Sequence, residues 1–347
     1  MRQHRPRPFG VRAMLLGAVA VLVTGVGAAF AMPSREPGPA IAAGKLSLHC
    51  VGDAAASARA GRTPVLLIHG TGSNFRANFS WNWARAFTLE KRAYCGIDLP
   101  EDASGDLQVA AGHVVRAIRT LHAAAGAPIS LVGHSQGGLL GRWALKYWPD
   151  TRDMVDDYVA LAPPNHGTAT FVAQCAAAGE CPAARWQQRT GSRFLAALND
   201  GPQTWPAIDY TQVMVHSDEI VVPHTSAALP AASNVANLEI DRVCPGEVVE
   251  HFGLAYDNAA YLIGMDALTH PGPAVPARIR TERCGPPFMP AVDPLAFGPN
   301  AAAALVQSAN AMVNARELKA EPPLRCYADR TCVREQGFTS SGRVTGR

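Results

Sequence analysis

The sequence predicts an α/β fold in which a central, mostly parallel sheet is covered by helices on both faces. Two observations lead to this class. Short apolar runs typical of buried strands alternate along the chain with segments of helical periodicity. In addition, the apolar run at 128–132 leads through a glycine-rich turn at 133–137 into an apolar segment that starts at Gly138. That order of strand, sharp turn and helix is typical of a parallel sheet with helical connections.

Six apolar runs are predicted to form the sheet, at 64–69, 94–98, 128–132, 158–161, 211–216 and 235–240. The run at 64–69 is continuous, as expected for a strand that is buried on both faces. The clearest helix is predicted at 106–125, where apolar residues recur on one face until Gly126. Further helices are expected at 76–88, after Gly138, and within the alanine-rich segment at 301–313.

The chain is predicted to carry a targeting segment before one catalytic domain. Residues 1–31 combine four arginines, an apolar stretch at 14–29 and the cleavage signal Ala29-Phe30-Ala31. We therefore expect a signal peptide at 1–31 and a flexible, proline-rich lead-in at 32–43. A single domain at 44–333 and a flexible tail at 334–347 follow. An uncleaved membrane anchor is the alternative for the first segment, because its apolar stretch approaches spanning length.

The charge balance excludes a nucleic-acid partner. The chain of 347 residues has 31 lysines and arginines against 28 acidic residues, but four of the arginines lie in the predicted signal peptide. The mature chain therefore has 27 basic and 28 acidic residues and a net charge of −1. No basic surface for nucleic acid is expected.

Eight cysteines, all after the predicted signal peptide, indicate disulfides formed in an oxidising compartment and therefore a secreted protein. The chain has no Cys-x-x-Cys and no Cys/His cluster at zinc spacing, so no metal is predicted. Proximity favours the pairs Cys175/Cys181 and Cys326/Cys332. The count leaves open how the other four cysteines pair, which are Cys50, Cys95, Cys244 and Cys284.

The turn at 133–137 has the pattern Gly-x-Ser-x-Gly, which in a strand–turn–helix context is the nucleophile elbow of α/β-hydrolases. A serine at the tip of such a strained turn needs neighbours without Cβ atoms, because strand and helix pass close together there. Ser135 is therefore the predicted nucleophile.

A nucleophilic serine needs a base and an orienting carboxylate, and in this fold they follow it in the order acid, then histidine. Asp218 is favoured over Asp209 and Asp241 because it directly follows the predicted strand at 211–216. His251 is favoured because it follows the last predicted strand. The other candidate histidines are His166, His216, His224 and His270.

Two backbone amides are predicted to form the oxyanion hole. One belongs to Gln136, the residue after the nucleophile, and the other to Thr71 in the loop after the first predicted strand. An ordinary glycine-rich turn is the alternative for the Thr71 loop. A phosphate-binding loop is disfavoured because the lysine and spacing of a P-loop are missing.

Several stretches together resemble one family, the Candida antarctica lipase B-like lipases of the α/β-hydrolase superfamily, with this chain as a bacterial-type secreted relative. These are VLLIHGTG at 65–72, SQGG at 135–138, WQQRTG at 186–191, SDEIVVP at 217–223 and VEH at 249–251. The resemblance extends from about residue 46 to residue 332. It implies the triad Ser135, Asp218 and His251 and the oxyanion donors Thr71 and Gln136.

The resemblance also implies the disulfide pairs Cys50–Cys95, Cys244–Cys284 and Cys326–Cys332, whereas Cys175–Cys181 rests on proximity alone. It implies a substrate pocket that includes Ile220 and Val221. His134 departs from the pattern, since the type member of the family has tryptophan there. The segment at 171–189 and the helix at 301–313 are two candidate covers for the pocket.

The expected function is that of a secreted serine ester hydrolase, a triacylglycerol lipase or carboxylesterase. It would act without cofactor or metal on a lipid or small ester, in solution or at a lipid–water interface, and as a monomer. A polyester depolymerase of the cutinase type would use the same triad. A binding protein on an inactive hydrolase scaffold is the alternative from another class, and the complete triad argues against it.

Overall fold

The computed structural model describes residues 38–42 and 44–335. The predicted signal peptide, the first six residues and the last residue of the predicted lead-in, and residues 336–347 of the predicted tail lie outside them. Among the described residues, no helix is both long and apolar enough to cross a membrane.

The described residues form nine strands. They are β1 (Ser47–Val51), β2 (Val65–Ile68), β3 (Tyr94–Asp98), β4 (Ile129–His134), β5 (Val155–Leu161), β6 (Cys181–Pro182), β7 (Asp209–Met214), β8 (Val235–Glu239) and β9 (Glu317–Leu318).

Twelve α-helices lie in the same part of the chain, and short 3₁₀ turns connect several of them. The helices are α1 (Ala54–Arg59), α2 (Phe75–Asn78), α3 (Trp83–Leu89), α4 (Leu107–Ala125), α5 (Gln136–Tyr147), α6 (Ala169–Ala178), α7 (Ala183–Gln188), α8 (Arg193–Asn199), α9 (Ile240–Val243), α10 (Asn258–Thr269), α11 (Pro294–Val313) and α12 (Arg330–Glu335).

Seven strands make one sheet in the order β1-β3-β2-β4-β5-β7-β8. Only the edge pair β1–β3 is antiparallel, and every other neighbouring pair is parallel. β6 and β9 form a separate two-stranded ribbon. The predicted α/β class with a mostly parallel sheet is therefore confirmed.

Both faces of the sheet are covered by apolar packing, as the continuous apolar runs predict. Along β2, Leu66 and Ile68 belong to a core on one face, where α4, α5 and α8 pack. Val65 and Leu67 belong to a second core on the other face, which includes residues of α3 and α10. All four side chains are fully buried.

The structure corrects three details of the sequence interpretation. The segment 76–88, predicted as one helix, forms α2 and α3, because the Asn82 side chain accepts from the Trp83 amide (2.6 Å) and donates to the Asn78 carbonyl (2.9 Å). The sequence does not predict β1, since an exposed edge strand lacks an apolar run. α11 has 20 residues and begins at Pro294, seven residues before the predicted start.

Four disulfides join the cysteines in the pairs that proximity and the resemblance suggested. They are Cys50–Cys95, Cys175–Cys181, Cys244–Cys284 and Cys326–Cys332. The first connects directly paired residues of β1 and β3 and so attaches the edge strand to the sheet.

Candidate active site

Ser135 lies at the tip of the turn between β4 and α5, with a backbone φ of 54° and ψ of −122°. The conformation is strained for a residue with a side chain. The glycines make it possible: a Cβ on Gly137 would lie 2.0 Å from the Ile68 carbonyl oxygen, and one on Gly133 would lie 2.6 Å from the Gly137 backbone. The Ser135 amide donates to the Leu161 carbonyl of β5 at 2.7 Å, which anchors the turn to the sheet.

Asp218 and His251 form a buried pair beyond the carboxyl ends of β7 and β8. His251 Nδ1 lies 2.9 Å from Asp218 Oδ2 and 3.0 Å from Oδ1. Oδ1 also accepts the amides of Ile220 (2.9 Å) and Val221 (2.7 Å), so the loop's own backbone fixes the carboxylate. Since the ionised carboxylate can only accept, Nδ1 carries the proton of a neutral imidazole and Nε2 is free to act as a base.

Ser135 and His251 line the same cavity, which has a volume of about 240 Å³. In the described part of the chain, no hydrogen bond joins the serine hydroxyl to the imidazole. Such contacts are often loose in a free enzyme and tighten when substrate binds. The arrangement can therefore support attack by the serine with His251 as the base.

The loop after β2 lies against the elbow, since a Cβ on Gly70 would be 3.0 Å from the Ser135 Cβ, and His69 fixes this loop. This side chain is fully buried, and its Nε2 accepts the Leu99 amide at 3.0 Å. Nδ1 must then carry the ring proton, which it donates to the Gly70 carbonyl at 2.9 Å. Burial lowers the pKa of His69, which favours this neutral form. The ring thus holds the backbone just before Thr71.

Three side chains connect this loop to the start of α5. The Thr71 hydroxyl donates to Gln136 Oε1 at 2.6 Å. Gln188 Nε2 donates to Thr71 Oγ1 at 2.9 Å and to Gln136 Oε1 at 3.0 Å. The two predicted oxyanion donors are therefore bonded to each other and to a third residue, which restricts how far apart their backbones can move.

His134 is buried between two elements of the site. Its Nδ1 lies 3.2 Å from Asn78 Oδ1, and its Nε2 lies 3.1 Å from the backbone carbonyl of His251. Asn78 Oδ1 also accepts the Gly70 amide at 3.1 Å. The contacts of His134 and Asn78 thus bring the elbow, the Thr71 loop and the histidine loop together.

The ring of His134 is neutral although both of its nitrogens face oxygen atoms. Burial, followed by repulsion from His251, lowers the pKa of His134 to about 3. These two effects exceed the gain that a protonated ring would have from donating to both oxygens. A neutral ring has one N–H, so one of the two oxygen contacts is not a hydrogen bond.

The cavity wall combines the predicted pocket residues with both candidate covers. His134 and Ile220 line it, whereas Val221 is buried beneath the loop and does not. The remaining residues come largely from the segment 171–189 and from α11. They are Phe171, Gln174 and Arg185 from the former and Ala304, Leu305, Ser308 and Met312 from the latter.

Sequence reasoning does not find Asn78, Gln188 and Glu219. Glu219 accepts the His251 amide at 3.0 Å and so orients the backbone of the predicted base. Asn78 and Gln188 act on residues far away in sequence, and a single sequence does not reveal such pairings. The motif at 186–191, which contributes to the family resemblance, is the only sequence signal at Gln188.

Comparison with known proteins finds a related lipase. No family model matches the sequence. The chain is 33% identical over 289 residues to Lipase B of Pseudozyma antarctica, a match that covers 81% of this chain and 83% of the relative.

Solved structures of lipases are also similar to this chain. Lipase B of Aspergillus fumigatus superposes with a TM-score of 0.72 at 26% identity, covering 81% of this chain and 70% of that one. The Bacillus licheniformis lipase BlEst2 in its propeptide form superposes with a TM-score of 0.50 at 18% identity, over 66% of this chain and 55% of that one. The last likeness concerns the fold alone.

Proposed function

Because the chain belongs to the lipase B family of α/β-hydrolases and is a carboxylic ester hydrolase, we propose that it cleaves lipid esters through an acyl-enzyme on Ser135. The observation that carries the proposal is that Ser135, His251 and Thr71 line one cavity and belong to three features of the site. They are the strained serine turn, the buried Asp218–His251 pair and the paired loops that carry Thr71 and Gln136.

In the proposed reaction, Ser135 Oγ attacks the ester carbonyl while His251 Nε2 takes the hydroxyl proton. The tetrahedral intermediate collapses, the bond to the alcohol oxygen breaks, and His251 returns the proton to the departing alcohol. Water then repeats the sequence against the acyl-enzyme and releases the acid. Asp218 keeps the imidazole in the correct tautomer and stabilises the imidazolium, which its distance of 2.9 Å supports.

The proposed oxyanion donors are the backbone amides of Thr71 and Gln136. The amide of Gln136 is the first of α5 and has no partner within the helix, so it is available to a developing negative charge. A single donor of this kind contributes about 3 kcal/mol to the stability of the transition state. The link through Gln188 supports this assignment, because it fixes the two donors before substrate arrives.

The lining favours an ester with an apolar acyl chain. Phe171, Ile220, Leu305 and Met312 contribute apolar surface around Ser135. A polyester depolymerase with the same triad is the alternative, and its substrate would have to fit between the 171–189 segment and α11, which both line the cavity. We propose that the enzyme acts as a monomer, without cofactor, in contact with lipid.

We also propose that the protein is secreted after removal of residues 1–31. Its four disulfides support an oxidising compartment. An anchored form that keeps the first segment is the alternative. Edman sequencing of the exported protein tests the point, and a mature N-terminus near residue 32 is the expected result.

Hydrolysis of p-nitrophenyl esters from acetate to palmitate tests the proposed activity. We expect cleavage of long-chain esters by the wild type and a loss of at least 1,000-fold in kcat for Ser135→Ala. The matched control Ser80→Ala removes a serine outside the cavity and should retain full activity. Cleavage of acetate and butyrate alone would reduce the proposal to a short-chain esterase. Equal rates for Ser135→Ala and wild type would disprove the nucleophile.

A further inference from the structure

A second group of chemically active side chains lies where the two ends of the loop that carries Asp218 meet the sheet. His216 follows β7, His224 opens the 3₁₀ turn His224–Ala227, and Glu239 ends β8. Each offers one nitrogen or oxygen atom, and these atoms all lie within 4.8 Å of one another. Within the described residues, no other group of three or more histidine, cysteine or acidic side chains meets this criterion.

We propose that His216, His224 and Glu239 form a binding site for a divalent transition metal of the Zn²⁺ type. Two imidazoles and one carboxylate are a common ligand set for zinc, with a fourth position for water. His224 Nε2 lies 3.3 Å from Glu239 Oε1, and His216 Nε2 lies 3.8 Å from Glu239 Oε2. Ligands about 2 Å from a tetrahedral metal are about 3.3 Å apart, so these separations are close to those required.

The surroundings of His216 provide an independent reason for this assignment. Its other ring nitrogen, Nδ1, lies 3.1 Å from Asp241 Oδ1. Histidines that bind metals usually donate their second N–H to a carboxylate, which orients the ring and makes the ligand more basic. Asp241 would have this role, and Nε2 would face the metal.

The ligand atoms of the group favour a transition metal such as zinc over calcium. Calcium takes six to eight oxygen ligands, whereas this group offers two imidazole nitrogens. Arg242 competes for the same carboxylate, because its Nε donates to Glu239 Oε2. Its side chain is 76% exposed and can turn into solvent when a metal binds.

A bound metal would link the two ends of the segment from His216 to His224. His216 and His224 flank the segment that includes Asp218, Glu219 and Ile220, and the third ligand lies on the neighbouring strand. A metal would therefore connect both ends of this segment to the sheet without touching the reacting atoms. The expected effect is a more stable loop, measured as metal-dependent thermal stability.

Zinc titration of the full protein without a polyhistidine tag tests the proposal, after treatment with EDTA and dialysis. Competition with a chromophoric chelator should give one Zn²⁺ per chain, and the metal should raise Tm. Glu239→Gln should weaken binding at least tenfold, and Asp241→Asn should weaken it 10- to 100-fold. Arg242→Ala should tighten binding, because the competing cation is gone.

His270→Asn is the matched control, since it removes an exposed histidine that also lies beside a carboxylate, 3.3 Å from Asp266, which Arg278 already pairs. It should bind Zn²⁺ as the wild type does. The proposal is overturned if the wild type binds less than one Zn²⁺, or if Asp241→Asn and Arg242→Ala match it. Asp241, which is half-buried, and Arg242, which is exposed, decide the question even if Glu239→Gln fails to fold. Ester hydrolysis is measured separately, so loss of the proposed activity would leave the metal result unaffected.

Discussion

His134 stands beside the predicted nucleophile and is a residue whose protonation would change the whole site. A second positive ring 5.1 Å from the ring of His251 would oppose the imidazolium that the proposed mechanism needs. Burial prevents this, since it lowers the pKa of His134 to about 3. The enzyme therefore has a polar but neutral side chain at this position.

The same shift predicts how stability depends on pH. Between about pH 6.5 and pH 3 the unfolded chain binds a proton at His134 that the folded chain does not, so stability falls as the pH falls. Through most of that window, the free energy of unfolding should therefore fall by about 1.4 kcal/mol for each unit of decreasing pH because of this residue. His134→Gln removes this fall in stability, and urea unfolding at pH 7, 6 and 5 should show a flatter profile for the variant. Parallel profiles would mean that His134 has the same pKa in the folded and the unfolded chain.

Gln188 is a positioning residue for the predicted oxyanion hole, because its amide bonds both Thr71 and Gln136. Gln188→Met keeps the length of the side chain and loses these bonds. We expect kcat to fall about tenfold with KM within twofold, since the lost restraint acts on the transition state. Gln307→Met on α11 is the control, because Gln307 does not line the cavity of Ser135. An unchanged kcat for Gln188→Met would show that the two loops hold their positions without it.

Site residues can be predicted from the sequence where they belong to short motifs. They cannot be predicted where their role depends on contacts between distant parts of the chain. The serine turn and the histidine and acid after strand ends follow from local pattern and chain order. Asn78, whose amide oxygen connects the Gly70 amide to His134, has no such pattern. Its position depends on the break between α2 and α3, where the apolar pattern predicts one continuous helix.

At the level of elements, the buried strands are predictable because a continuous apolar run is typical of a strand that is covered on both faces. The edge strand β1 is not predictable in this way, because three of its five residues are exposed and none is buried. Its pairing depends on β3 and on the bridge from Cys50 to Cys95. The start of α11 at Pro294 is not predicted, because a proline-rich segment usually indicates irregular chain. Proline is nevertheless favourable at the first position of a helix, which is where Pro294 lies.

α11 carries an exposed apolar stripe that points to contact with lipid. Leu295, Val306 and Val313 are 92%, 59% and 84% exposed. They are spaced by eleven and seven residues, close to whole numbers of turns, so they share one face. The adjacent Leu305 lines the cavity. An apolar face at the cavity mouth would hold the site against a lipid surface.

Val306→Ser with Val313→Ser tests this contact, because neither residue lines the cavity. The double variant should cleave emulsified triacylglycerol about tenfold more slowly, since less apolar area binds the surface. Its rate on soluble p-nitrophenyl butyrate should equal that of the wild type, which serves as the internal control. An equal loss on both substrates would point to damage within the site, and no loss on either would remove α11 from the lipid contact.

For the whole molecule, the four disulfides differ in how much chain they enclose. Cys50–Cys95 and Cys244–Cys284 span 45 and 40 residues, whereas Cys175–Cys181 and Cys326–Cys332 each span 6. A bridge restricts the unfolded chain more when its loop is longer. The long bridges should therefore contribute most to global stability and the short ones should mainly fix local turns.

Replacing both cysteines of a bridge by alanine measures this difference. Loop entropy predicts a loss of about 4 kcal/mol for Cys50–Cys95 and about 2 kcal/mol for Cys326–Cys332. Urea unfolding gives both the free energy and its dependence on denaturant. If the bridge acts on the unfolded chain, its removal should also make the unfolding free energy depend more steeply on urea concentration, because the released chain exposes more surface. The bridge that encloses 45 residues should show the larger change. A large loss of stability with unchanged dependence would instead assign the effect of Cys50–Cys95 to packing at the edge of the sheet.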